Sequence, residues 1–142
     1  MLAAIPTVGS LARACQRDLL LLSFHDRQLE ARWASGPSRP PGNFYQQWTA
    51  DRLEAWKTHP ERQHLTAWLA HQGIGWQPCA PFLSGWMAAG AYWGDICLDL
   101  PWAAQDPGYQ TLRAYLYLPD GGSRFTNITL YAMPLANALL HA

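Results

Sequence analysis

Charge is scarce in this chain. Of 142 residues, 14% are Asp, Glu, Lys or Arg, against roughly 25% in an average globular protein. Disorder needs a polar, strongly charged composition, and 49% hydrophobic residues is the opposite. Net charge is lacking as well. Ten basic residues balance ten acidic ones, so no global field draws in DNA, RNA or an anionic membrane. The first half carries eight basic and six acidic residues and the second two and four, which leaves Arg13, Arg17, Arg27 and Arg32 as at most a local patch. The expectation is no nucleic-acid partner.

Long apolar runs are missing too. None approaches the ~20 residues that span a bilayer, and Pro6 and Gly9 interrupt the start with no basic segment before them. This predicts a protein without membrane contact, in the cytoplasm. The three cysteines, Cys15, Cys79 and Cys97, are odd in number and lack C-x-x-C spacing, which argues against a disulfide scaffold or a thiolate zinc site. Gly73-Ile74-Gly75 follows a helix pattern rather than a strand, so it is not a phosphate-binding loop. No cofactor is implied.

Tryptophan is abundant by contrast: eight residues, from Trp33 to Trp102. Each ring brings a large apolar area and an N–H that needs a partner when buried. Together with the length, this predicts one domain over residues 1–142, with a Pro/Gly-rich internal loop at 35–42 that no helix or central strand accommodates.

Local patterns predict α+β architecture: an antiparallel sheet of three or more strands packed with two or three helices. Ser10 is an N-cap candidate, and residues 10–34 fit two parses: one helical stripe through Leu11, Cys15, Leu19, Leu22, Leu29 and Trp33 broken at Asp26, or, favoured here, a short helix, a strand at Leu19–Phe24 and a return strand at Leu29–Ala34 as an N-terminal hairpin. Residues 44–58 read as a helix. A better-marked helix has Pro60 at its first position, Leu65, Trp68 and Leu69 on one stripe, and Gly73 as its stop. Ile96, Leu98 and Leu100 alternate with polar residues over a strand at 95–100. Leu112, Ala114, Leu116 and Leu118 alternate in the same way, and Pro119-Asp120-Gly121-Gly122 reads as a turn into a strand over 124–131. The result is a C-terminal hairpin at about 112–131. Leu135–His141 reads as a short closing helix.

In that hairpin the face away from the core carries Arg113, Tyr115, Tyr117, Phe125, Asn127, Thr129 and Tyr131. A sheet face rich in aromatics and poor in charge is a candidate binding surface. A second candidate is a pocket walled by Trp76, Phe82, Trp86, Tyr92 and Trp93. Catalytic constellations are weak. His64 and His71 lie two helical turns apart, too far to share an ion, so no metal site is expected. Asp95 and Asp99 are separated by ~13 Å along a strand, wider than the ~5–9.5 Å of a glycosidase carboxyl pair, and read as solvated or salt-bridged. Cys97 between them has its thiolate disfavoured by charge. The expectation is therefore a binding protein of inhibitor, immunity or accessory type, of bacterial character, whose partner is another protein or a second copy of itself. The alternative is a small-molecule binder or enzyme using the aromatic pocket.

Overall fold

Four strands form one antiparallel sheet in the computed structural model, which describes residues 5–24, 54–80 and 94–140. In chain order the described elements are α1 (Val8–Cys15), β1 (Leu19–Phe24), a helical turn at 54–57, α2 (Pro60–His71), β2 (Trp76–Pro78), β3 (Ile96–Leu98), α3 (Pro107–Leu116), β4 (Ile128–Met133) and α4 (Leu135–Ala138). The strand order is β2-β3-β1-β4. With helices on a separate antiparallel sheet, the class is α+β.

Why β1 sits in the middle follows from its sequence. Leu19–Phe24 is apolar on both faces and buried throughout, so it needs cover above and below the sheet and a strand on either side. Leu20, Leu22 and Phe24 face a layer holding α2 and α3, where they pack with Trp56, Leu65, Leu69, Leu112 and Leu116. Leu19 and Leu21 face the opposite layer, with Val8, Leu11 and Ala12 of α1 and Ala138 of α4. Fully burying each leucine side chain contributes about 1.5–3 kcal/mol.

Both edges of β1 are occupied. Leu20, Leu21 and Leu22 pair with Leu98, Cys97 and Ile96 on one side, and all six residues pair with Met133 through Ile128 on the other. The strand expected at 29–34 is not among the described neighbours of β1. Residues 29–34 themselves lie outside the described residues, as do the 35–42 loop and most of the helix read at 44–58.

The helix at 60–71 forms as its sequence signals. Pro60 occupies the first turn, and the end is a Schellman closure: Gly73 N–H donates to Ala70 O at 3.1 Å and Ile74 N–H to Leu69 O at 2.9 Å. Gly73 holds φ +72° there, the left-handed conformation that glycine adopts without a Cβ penalty. Ile74 is buried in the core beside Leu69. In α1 the cap differs from expectation. Thr7, not Ser10, is the N-cap, its hydroxyl accepting from Ser10 N–H at 3.1 Å.

The largest correction concerns residues 112–118, expected as a strand. They belong to α3 and its exit. Asp106 caps that helix by accepting from Tyr109 N–H at 3.0 Å, with Pro107 at the first position. Leu112 and Leu116 are buried and lie one helical turn apart. A spacing of four places two residues on one face of a strand and equally on one face of a helix, so the leucines alone do not choose. The Asp-Pro start chooses helix. Of the hairpin only a remnant remains. Tyr117 bridges to Ser123, and Leu118 N–H donates to Gly122 O at 2.7 Å across the 119–122 turn. The following strand begins at Ile128 and pairs with β1 instead.

Candidate functional site

The proposed binding face dissolves with its hairpin. Arg113 and Tyr115 lie on α3, Tyr117 at its C-cap and Asn127 in the turn before β4. Tyr131 packs on the α1/α4 side of the sheet. Two of the predicted residues still meet. Tyr115 and Phe125 have ring centroids 5.9 Å apart, and Tyr115 lies flat on Trp68 of α2, 4.0 Å between centroids and 4° from parallel. Arg124 closes the outer side, its guanidinium 4.6 Å from the Tyr115 ring and its Nε donating to Tyr115 O at 2.7 Å. These contacts join α2 to α3. They hold the half-buried tyrosine in place and leave no room for a ligand between the two stacked rings.

Of the alternative pocket, only Trp76 is among the described residues; Phe82, Trp86, Tyr92 and Trp93 lie outside them. Trp76 is 37% exposed, and the buried Arg62 guanidinium stands 5.4 Å from its ring.

Asp95 departs from the solvated carboxylate expected of it. It is 4% exposed and immediately precedes β3, next to the Leu22–Ile96 pair that ends the ladder with β1. Its Oδ1 accepts from Phe24 N–H at 3.3 Å. Ser23 pairs with Thr129 on the other side, and Cys79 N–H donates to Asp95 O at 3.0 Å. Asp95 thus lies beside the Ser23–Thr129 pair of β1 and β4, with the Ser23 hydroxyl hydrogen-bonded to its carboxyl. Burial pushes the Asp95 carboxyl up to about 7, opposed by the Phe24 N–H, the Ser23 hydroxyl and the Arg62 charge. Asp99, by contrast, is exposed and paired with Arg17 at 2.7 Å.

The two buried thiols are not activated. Burial, then the charges of Asp95 and Cys97, raises Cys79, and burial pushes Cys97 up to about 12. A thiolate, not a thiol, is the nucleophile. Cys15 is exposed, and all three cysteines are free. Among the described residues no group of three or more His, Cys, Asp or Glu is placed to hold a metal ion, and no helix is long and apolar enough to cross a membrane.

Among the described residues are two open grooves, each of about 430 Å3. One is lined by Cys15, Arg17, Trp76, Cys97 and Asp99. Its two charged residues, Arg17 and Asp99, pair with each other at 2.7 Å. The other lies between the 102–104 loop, Asp18 at the entry to β1, and Tyr109, Gln110 and Arg113 of α3. The loop is fastened to the helix. Asp106 N–H donates to Ala103 O at 3.0 Å, and Gln110 Nε2 to Ala104 O at 3.0 Å. Tyr109 and Arg113, one turn apart, share a face, with Arg113 Nη1 3.4 Å from Tyr109 Oη. Trp102 is 39% exposed at the rim. Sequence reasoning missed Trp102, Tyr109 and Asp18. The available signal was Asp106-Pro107, which as a helix start puts Tyr109 and Arg113 side by side.

No known protein-family model, curated protein or solved structure matches this chain.

Proposed function

We propose that this protein acts by binding another protein, and that the groove of Trp102, Tyr109 and Arg113 is its contact surface. The observation that carries this reading is Trp102, a large aromatic left 39% exposed on a concave surface, next to an exposed arginine whose only polar contact among the described residues is a 3.4 Å approach to Tyr109 Oη. Tryptophan, tyrosine and arginine are the residue types that dominate binding energy at protein interfaces, where they sit in pockets that exclude water. Arg113 was a candidate from sequence and stays one. Its neighbour changes from strand residues to Tyr109, and it now lines the groove that Trp102 also lines. The raised thiols at Cys79 and Cys97 favour binding over covalent catalysis, and three free cysteines fit the reducing cytoplasm of a bacterial cell.

The test is affinity capture with tagged protein, compared with the Trp102→Ala, Arg113→Ala double variant and with Trp76→Ala as a surface control. The expected result is a stoichiometric protein retained by the wild type and by Trp76→Ala but lost from the double variant. Equal capture by all three removes the groove from the reading. If the wild type elutes as a dimer and the double variant as a monomer in light scattering, the partner is a second copy. A small molecule is the competing occupant, because 430 Å3 falls within the usual range for ligand sites.

A further inference from the structure

The groove carries two opposite charges that do not meet. Arg113 makes no ion pair with any carboxylate among the described residues, and its contact with Tyr109 Oη is long at 3.4 Å. Asp18 lines the same groove. Its Oδ1 accepts from Leu135 N–H at 2.7 Å, and its second oxygen makes no hydrogen bond among the described residues. Each residue has a local structural role. Asp18 satisfies the first N–H of α4, and Arg113 lies in the last turn of α3, where a cation complements the helix dipole. Those roles explain the residue types. They do not explain why both residues line one aromatic-walled concavity without pairing. The other groove of equal volume shows the alternative outcome, with Arg17 and Asp99 joined at 2.7 Å.

Resting on the binding reading above, we propose that the groove recognises a polypeptide segment carrying a carboxylate and a basic side chain on either side of an apolar residue. The carboxylate pairs with Arg113, the basic group with Asp18, and the apolar side chain covers Trp102. Charge complementarity is the argument. A ligand of one sign gains from one of these residues and is repelled by the other, whereas a dipolar segment satisfies both and is held in one orientation. Guanidinium–carboxylate geometry allows two parallel hydrogen bonds, which fixes direction as well as position. Displacing water from the groove strengthens both pairs relative to their value at an open surface.

The probes are three capped pentapeptides: acetyl-Glu-Ala-Phe-Ala-Lys-amide, its reverse acetyl-Lys-Ala-Phe-Ala-Glu-amide, and acetyl-Gln-Ala-Phe-Ala-Gln-amide. Free phenylalanine is the fourth. Binding is read from amide and indole N–H shifts in two-dimensional NMR, with the Trp102 indole assigned through Trp102→Phe. The expected result is that one charged peptide binds about fivefold more tightly than the neutral one, shifting Trp102, Tyr109 and Arg113. That preference falls below twofold in Arg113→Gln and in Asp18→Asn, the latter keeping an oxygen for Leu135 N–H.

Equal binding of charged and neutral peptides overturns the proposal. Phenylalanine binding as tightly as the best peptide overturns it in favour of a small zwitterion. No shift with any probe, while Trp102→Ala, Arg113→Ala still loses its captured partner, overturns the charge recognition and leaves the binding reading standing. No shift and no captured partner ends both.

Discussion

Tyr115 lies face to face with Trp68, 4.0 Å between ring centroids and 4° from parallel, yet its hydroxyl is enclosed without a hydrogen-bond partner among the described residues. The ring and the hydroxyl therefore pull stability in opposite directions. The stack is worth about 0.5–1.5 kcal/mol beyond burial, whereas an enclosed polar group left unsatisfied costs about 1–3 kcal/mol. Tyr115→Phe keeps the first and removes the second, so it should be at least as stable as wild type in urea unfolding. Tyr115→Ala should lose about 3 kcal/mol or more. A Phe variant less stable than wild type would show that the hydroxyl is satisfied.

Asp95 sets a pH dependence whose sign is unusual for a carboxylate. Its folded pKa of about 7 lies above its ordinary value of 3.8, so between those limits the folded state holds a proton that the unfolded chain releases. Stability from this group is then fully present at low pH and falls as pH rises from about 4 to 7, at up to about 1.4 kcal/mol per unit. Above 7 the loss is complete. Asp95→Asn should flatten this part of the profile and raise the urea midpoint at pH 8 relative to wild type. Parallel pH profiles for the two proteins would contradict the assignment.

Gly94 admits no side chain. Its φ is +99°, and a Cβ would stand 2.5 Å from Cε2 and Nε1 of the buried Trp56 indole. Backbone strain and overpacking each cost about 1–3 kcal/mol, so Gly94→Ala should lower stability by about 2–6 kcal/mol in thermal or urea unfolding. Gly121, with φ +88° but open space around it, provides the comparison. Gly121→Ala should lose only the strain part.

The thiols should divide by location. In native protein a disulfide reagent should titrate one thiol, Cys15, promptly; in denaturant it should titrate all three. Rapid native reaction at Cys79 or Cys97 would contradict their burial.

These features differ in how far the sequence discloses them. Residues 60–74 are legible because every determinant is local: a proline at the start, an apolar stripe, and a glycine placed to close the last turn. Residues 112–118 mislead because leucines four apart satisfy a strand face and a helix face alike, and the deciding Asp106-Pro107 lies upstream of the pattern. The burial of Asp95 is invisible locally, since alternation with Ile96 and Leu98 reads as an outward position. It takes β1 alongside, with Ser23 and Phe24, to enclose it. The groove is the least legible feature. Asp18, Trp102 and Arg113 come from three separate segments, and only the sheet order and the true nature of α3 bring them together.

The pairing of β1 with β4 has a consequence for how the chain acquires this structure. β1 is complete when residue 24 has been made, but the strand that flanks all six of its residues ends at Met133. Synthesis at about 5–20 residues per second separates the two by roughly 5–20 s. Throughout that interval four consecutive leucines, Leu19 to Leu22, have no β4 to pair with. Until then the β4 edge of β1 stays open. An unpaired apolar strand edge of this kind is aggregation-prone until residues 128–133 arrive to close it.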